Sequence, residues 1–266
     1  MDVAGTCAYY ATIAPLYDTE LAERDDLPCW SALVAAWKPY RSAEYGCGTG
    51  RVAVPLALQC AQWGGDMAGL DLSPAMLRLA RQHWRSNRGS APRNALHLTQ
   101  GDMRRAALDH AVDLVLFAND PLTHLGRDAD LAATFRQVGR HLRSGGRLVV
   151  EASLLPPEAR GEDHPITLRS CHTVGAATGR LTIETERCID PVRKCASVIY
   201  WYRAPAAPGG QPTATEAQFV AHYLDLSSLE ALFHLAGCRL EERWSDPQFR
   251  ALTNYSAMAI CTGRKE

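Results

Sequence analysis

The stretch Glu44-Tyr45-Gly46-Cys47-Gly48-Thr49-Gly50 decides the fold of this 266-residue chain. Residues 42–46 are predicted to end a first strand, and the glycines to form a tight turn into a helix that starts near Val52. Glycine suits such a turn because it adopts positive φ angles and lets the backbone approach a ligand closely. The first turn of the helix adds free N–H groups that can hold an anion. The pattern therefore predicts a strand, a ligand-binding turn and a helix.

Asp71 lies 21 residues beyond the last glycine of this turn. It closes the segment Asp66–Asp71, which is predicted to be the second strand. A carboxylate at that strand end can accept hydrogen bonds from both hydroxyls of a ribose. The dinucleotide-binding fingerprint needs a glycine at position 51, where this chain has Arg51. The sequence thus favours a nucleoside ligand other than NAD, laid across the carboxyl ends of a parallel sheet.

Residues 44–50 resemble motif I of the class I S-adenosylmethionine (SAM)-dependent methyltransferases. Four further segments resemble later motifs of that family in the right order: residues 69–77, 101–104, 111–119 and 142–150. The last of these has Ser144 where the family usually has proline. The five motifs span about residues 40–153. Within the family, the chain most resembles the small-molecule enzymes that modify glycine and amino sugars.

The resemblance implies SAM as the cofactor and assigns residues to it. It implies that Asp71 binds the ribose, Leu72 packs against the adenine and Asp102 binds the adenine amine. Tyr17, in a segment that resembles one closing over SAM in this family, would contact the cofactor. The full set of predicted cofactor residues is Tyr17, Glu44, Gly46, Cys47, Gly48, Gly50, Asp71, Leu72, Met76, Gly101, Asp102, Met103 and Asn119.

Strand and helix patterns alternate from residue 42 to 153, which predicts a parallel sheet with right-handed crossovers. We expect an α/β, Rossmann-like fold with a seven-stranded, mostly parallel sheet and helices on both faces. The predicted domains are an N-terminal helical cap (1–40), a SAM-binding core (41–160 and 223–266) and an antiparallel β insertion that forms a substrate lid (161–222).

Three local features complete the predicted fold. Pro15 and Pro28 are expected to divide the cap into helices. Residues 206–212, rich in Pro and Gly, are predicted to be a loop. Ser227 is predicted to cap a helix over Ser228–Ala236, with Glu230 at capping-box spacing.

The loop after the fourth strand carries the predicted catalytic residues Asp120 and His124, with Tyr17 from the cap. Asn119 and Asp120 are expected beside the reacting methyl group. A histidine pKa near neutrality suits a general base, although His124 could instead only fix the loop. Asp120 could bind a cationic amine or cap the following turn. Methyl transfer is an in-line displacement, so positioning of the acceptor can supply most of the rate.

Composition narrows the function classes. The chain is 47% hydrophobic and 21% charged, with a net charge of −1 and no basic stripe, which disfavours nucleic-acid substrates. The nine cysteines are scattered without zinc spacing, so we expect no metal and reduced thiols. No apolar run approaches the length of a membrane span, and no secretion signal is recognised, so we expect a cytoplasmic protein. We expect a monomer or a homodimer, a choice that the sequence leaves open.

These observations predict methyl transfer from SAM to a nitrogen or oxygen of a small-molecule acceptor. Two alternatives remain: a non-catalytic SAM-binding module, and a methyltransferase acting on a carboxylate or a macromolecule.

Overall fold

The computed structural model describes residues 3–176, 179–204 and 213–266. In chain order the helices and strands are α1 (Val3–Glu20), α2 (Leu27–Trp37), β1 (Arg41–Tyr45), α3 (Ala53–Ala61), β2 (Asp66–Asp71), α4 (Pro74–Asn87), β3 (Leu96–Gln100), β4 (Val112–Phe117), α5 (Asp128–His141), β5 (Leu142–Ser153), β6 (Ile166–Ala176), β7 (Gly179–Asp190), β8 (Cys195–Ala204), β9 (Thr213–His222), α6 (Leu226–Leu235), β10 (Cys238–Trp244) and β11 (Met258–Lys265). The predicted loop at 206–212 lies outside the described residues.

The large sheet has seven strands in the order β10-β11-β5-β4-β1-β2-β3. The five strands from β1 to β5 pair in parallel, whereas β11 runs antiparallel to both β5 and β10. The reversal between β4 and β2 on either side of β1 places the carboxyl ends of these strands around one crevice, where ligands of such sheets bind. The predicted α/β fold is confirmed.

Helices cover both faces of this sheet because successive residues of its central strands point to opposite sides. Val115 and Phe117 of β4 pack with α5 and α6, where Phe135 and Phe233 are fully buried. Leu114 and Leu116 pack on the other face with Trp30 and Val34 of α2 and with α3. A strand buried on both sides needs a nearly continuous apolar run, and Val112–Phe117 supplies it.

The insertion forms a separate antiparallel sheet with the strand order β6-β7-β8-β9. Its inner face carries buried Leu181, Ile183 and Tyr202, which pack against Ile13 of α1 and Met76 of α4. The insertion therefore lies against the cap helix, and this contact brings it next to the carboxyl ends of the parallel strands.

Two local predictions were wrong. Pro15 lies inside α1 and does not divide it; the helix continues because Ile13 and Ala14 are buried against the insertion. The cap of α6 is Asp225, not Ser227. The Asp225 carboxylate accepts a hydrogen bond from the Ser228 N–H at 2.7 Å, and the Ser227 hydroxyl donates to the same carboxylate. A carboxylate outcompetes a hydroxyl there because it accepts two bonds at once and complements the helix dipole.

Among the described helices, none combines the length and the apolar character that crossing a membrane would need.

Candidate functional site

The glycine turn between β1 and α3 is held in place by β2. The N–H groups of Gly46 and Cys47 donate to the Leu70 carbonyl at 2.8 and 3.0 Å. Asp71, at the end of β2, accepts from the Gly48 N–H at 2.7 Å and from the Ser73 N–H at 2.7 Å. Burial raises the pKa of Asp71, and these backbone hydrogen bonds oppose the rise. One carboxylate thus fixes both the glycine turn and the start of α4.

The three glycines of the turn have positive φ angles but different neighbours. A Cβ on Gly46 would lie 2.5 Å from Pro121 Cβ, and one on Gly50 would lie 3.0 Å from a methyl of Val54. A Cβ on Gly48 would meet only the Tyr17 ring, at 3.7 Å. Gly46 and Gly50 are therefore needed for close backbone packing, whereas Gly48 keeps the space beneath Tyr17 open.

A first cavity lies above this turn, and we call it the cofactor cavity. Nine of the predicted site residues line it: Tyr17, Gly46, Gly48, Asp71, Leu72, Gly101, Asp102, Met103 and His124. Tyr10 and Arg104 line it as well. The Asp102 carboxylate accepts two hydrogen bonds from the Arg104 guanidinium. Although burial opposes it, Arg104 lowers the pKa of Asp102, which stays ionised.

Four predicted cofactor residues lie behind the cavity wall. Cys47, Gly50 and Met76 are not among its lining residues, and Cys47 and Met76 are buried. Glu44 is 3% exposed, and one of its carboxylate oxygens has no hydrogen-bond partner. Burial raises the pKa of Glu44 well above its usual range. Contact of these residues with a cofactor stays a prediction.

A second cavity, of about 380 Å³, adjoins the first, and we call it the acceptor cavity. Four parts of the chain contribute to its walls. They are α1 (Tyr9, Tyr10, Tyr17, Glu20), the loop after β4 (Asn119, Asp120, Thr123, His124), the insertion and the residue after it (Arg187, Tyr200, Phe219, Tyr223), and the facing ends of β5 and β11 (Glu151, Ser153, Met258). Tyr10, Tyr17 and His124 line both cavities. The insertion therefore walls the acceptor cavity, beside Asn119.

His124 lies at the junction of the two cavities. Its Nε2 atom is 2.7 Å from the Tyr10 hydroxyl, and its Nδ1 atom is shut off from solvent without a hydrogen-bond partner. Burial lowers the pKa of His124 to about 4. The expected pKa near neutrality is therefore wrong, because the ring is enclosed by Tyr9, Tyr10 and Phe219. The imidazole is neutral at physiological pH and is held by a side chain, not by a backbone carbonyl.

Asp120 faces the acceptor cavity in an uncommon backbone conformation. Asn119 and Asp120 have φ angles of 57° and 47°, in the left-handed region that few non-glycine residues adopt. The Asp120 carboxylate accepts from the Ser153 N–H at 3.0 Å, and among the described residues no cation pairs with it. Burial raises the pKa of Asp120 to about 7, although the bonds to Ser153 oppose the rise. Its side chain does not cap the following turn.

Sequence reasoning missed a buried ion network beside this loop. Asp26 is fully buried and accepts from both Arg24 and Arg51, the latter at 2.5 and 2.8 Å. Glu151 binds Arg24 and also accepts from the Asn119 N–H at 2.7 Å. The network ties the segment after α1 to the glycine turn and to the loop after β4. Arg51, in place of a third glycine, was the signal in the sequence.

Tyr17 and Asp18 join the cap to the site in the same way. The Asn119 amide donates to the Tyr17 hydroxyl at 2.8 Å, and the Thr49 hydroxyl donates to Asp18 at 2.6 Å. Helix α1 is thereby held over both cavities, and Asn119 lines the acceptor cavity, not the cofactor cavity.

Comparison with known proteins agrees with this geometry. Residues 43–146, from β1 into β5, match a family model described as "Methyltransferase domain". This segment of the chain is similar to a methyltransferase domain. The matched segment includes the glycine turn, Asp71 and the Asn119–His124 loop, so the resemblance seen in the motifs is confirmed.

Similar proteins extend the comparison beyond the matched segment. A curated relative from Bacillus subtilis (strain 168), "Putative methyltransferase YqeM", is 32% identical over 145 residues, which cover 53% of this chain and 54% of the relative. The CcbJ methyltransferase from Streptomyces caelestis is 23% identical, covers 97% of this chain and 98% of its own, and superimposes with a TM-score of 0.74.

A sugar N-methyltransferase, KedS8 from Streptoalloteichus sp ATCC 53650, is 20% identical. It covers 94% of this chain and 93% of its own, with a TM-score of 0.67. At these identities the similarity shows a shared fold.

Proposed function

We propose that this chain is a SAM-dependent methyltransferase that methylates an amine nitrogen of a small molecule. One observation carries the proposal: the cofactor cavity and the acceptor cavity meet at Tyr10, Tyr17 and His124, and Asp120 presents an uncompensated carboxyl on the acceptor side.

The residues of the first cavity fit SAM. Asp71 would accept hydrogen bonds from the ribose, and the open space at Gly48 would let the cofactor approach the backbone of the glycine turn closely. Leu72 and Met103 offer apolar contact for the adenine, and Asp102 offers an ionised acceptor for its amino group. When bound, SAM supplies a methyl group on a positively charged sulfur, which an amine lone pair can displace in line.

The chain's own task is to bind the amine and receive its proton. An amine is mostly protonated at neutral pH and has no free lone pair in that state. Asp120, with a pKa of about 7, is poised both to attract the ammonium group and to accept its proton. A hydroxyl acceptor is uncharged, so the Asp120 carboxylate would not attract it as it attracts an ammonium group. This difference favours nitrogen over oxygen as the methylated atom.

Tyr10 and His124 complete the acceptor side without proton chemistry of their own. His124 is neutral, and its Nε2 atom pairs with the Tyr10 hydroxyl, so the two side chains fix the boundary between the cavities. The aromatic rings of Tyr9, Tyr200 and Phe219 offer flat apolar surfaces to a ring-shaped acceptor. The names of two structural neighbours, a sugar N-methyltransferase and an amino pentose methyltransferase, agree with an amino sugar as the acceptor class.

A matched pair of acceptors tests the proposal. We expect S-adenosylhomocysteine to form with SAM and an amino sugar, and not with the sugar that carries a hydroxyl at the same position. Asp120→Asn should lower kcat by roughly 10²- to 10⁴-fold. Asp109→Asn, an exposed aspartate outside both cavities, is the control and should change nothing. Faster turnover of the hydroxyl compound, or full activity of Asp120→Asn, would contradict the proposal. A protein that binds SAM but methylates none of a wide amine panel would instead be the non-catalytic module.

A further inference from the structure

A third groove, of about 440 Å³, lies between α4 and β3 and shares no lining residue with the two cavities of the site. We call it the arginine groove. Arg81, Arg85 and Arg88 line it from α4, and Arg93 lines it from the short turn before β3. Its remaining walls are apolar, including Trp84 at 8% and Leu96 at 6% exposure.

None of these four guanidinium groups takes part in an ion pair with any described residue, although most ion pairs of the protein use arginine. Arg88 donates only to the Ala91 carbonyl, at 3.3 Å. The chain as a whole has a net charge of −1. The arginine groove is therefore a local cluster of unpaired positive charges, which the net charge of the whole chain does not show.

The spacing of these arginines on α4 reduces the stability of that helix. Arg81, Arg85 and Arg88 are four and three residues apart, so they lie on one face of α4, where like charges at these spacings destabilise a helix. Arg93 adds a fourth positive charge from a different element. An anion bound among them would remove the repulsion.

We propose that the arginine groove binds a small molecule that carries more than one phosphate group. Guanidinium groups recognise phosphate through paired N–H donors. Four of them exceed what a single carboxylate or monophosphate can neutralise. Trp84 and Leu96 add an apolar surface to the groove, which has the size of small-molecule sites.

Calorimetry with pyrophosphate, inorganic phosphate and fructose 1,6-bisphosphate tests this proposal. Saturating S-adenosylhomocysteine is present throughout, to occupy the cofactor cavity. We expect saturable binding of pyrophosphate at one site per chain, with phosphate weaker by roughly tenfold or more. Tighter binding of the bisphosphate than of pyrophosphate would assign the groove to a phosphorylated metabolite, and equal binding would assign it to the phosphate groups alone. Both results support the proposal.

Two double variants distinguish a site from general charge attraction. Arg81→Gln/Arg85→Gln should weaken pyrophosphate binding by roughly tenfold or more. Arg136→Gln/Arg140→Gln removes the same charge at the same spacing from an exposed face of α5 and should leave binding within about twofold. Arg93→Gln should weaken binding too, without changing any residue of α4.

Circular dichroism melts establish that each variant is folded. Equal weakening in both double variants, or no saturable binding to the wild-type protein, would overturn the proposal. Neither result bears on methyl transfer, because no step of this experiment involves an acceptor amine.

Discussion

Replacing Asp71 with alanine should weaken SAM binding, and this tests whether the cofactor cavity is the SAM site. The Asp71 carboxylate accepts from the Gly48 and Ser73 N–H groups, each at 2.7 Å, so the substitution leaves two backbone donors without their partner. It also removes the acceptor that we assign to the ribose. The perturbation thus disorders the glycine turn and deletes a ligand contact together.

The expected magnitude follows from these bonds. A hydrogen bond to a charged group contributes about 1.5–3 kcal/mol. If SAM binding loses the free energy of one such hydrogen bond, SAM affinity falls by roughly 10- to 150-fold. The loss of the ribose contact adds to this. Asp71→Asn keeps one oxygen acceptor but loses the charge, so its effect should lie between those of wild type and Asp71→Ala.

Isothermal titration calorimetry with SAM and S-adenosylhomocysteine measures this loss, with thermal denaturation in parallel to confirm folding. Asp66→Ala, at the opposite end of β2, is the matched control, because its carboxylate takes part in no ion pair among the described residues. Unchanged SAM affinity in Asp71→Ala would refute the assignment of the cavity. An equal loss in Asp66→Ala would show that the strand, and not the carboxylate contact, is responsible.

Three further outcomes are expected. Gly46→Ala should lower the melting temperature by several degrees, because its Cβ would lie 2.5 Å from Pro121 Cβ at a φ angle of 77°. Gly48→Ala should be less destabilising but should lose SAM binding. Normal SAM binding by Gly48→Ala in a titration would argue against the assignment of the glycine turn to SAM. His124→Ala should lower kcat by less than about tenfold and act mainly on the KM of the acceptor, since the buried ring is neutral; a loss of roughly 10²-fold or more in kcat would make it the base. The pKa of Asp120 in the folded protein, about 7, exceeds its value in the unfolded chain, so this carboxyl lowers the stability of the fold progressively as pH rises from about 4 to 7. Asp120→Asn should therefore raise the melting temperature more at pH 8 than at pH 5. An equal shift at both pH values would contradict the assigned pKa.

Much of the core could be predicted because its signals are local. Strand β2 has the predicted bounds, since a short apolar run closed by Asp is a short-range pattern. The glycine turn and Asp71 are equally local, because the turn needs positive φ angles and the carboxylate needs only a strand end. The two errors about the fold, at Pro15 and at the cap of α6, arose where a distant contact or a stronger neighbouring acceptor decided between local options.

The acceptor side was less predictable because its parts are far apart in the chain. Tyr10 and His124 are 114 residues apart, and Arg24 and Glu151 are 127 residues apart. No periodicity links such residues. The arrangement of α1 and the insertion around the loop at 119–124 brings them together, and it also decides which side chains lose contact with water.

The amino-acid sequence by itself determined the parallel sheet, the glycine turn and the carboxylate that holds it, because each depends on backbone conformation and on neighbours along the chain. Only the tertiary structure decided the ionisation of the acceptor cavity. It makes His124 neutral with a pKa of about 4 and brings Asp120 to about 7, although the sequence alone suggests ordinary values for both. The physical reason is desolvation: the free energy of a charge depends on the groups that exclude water from it, and those groups come from distant segments.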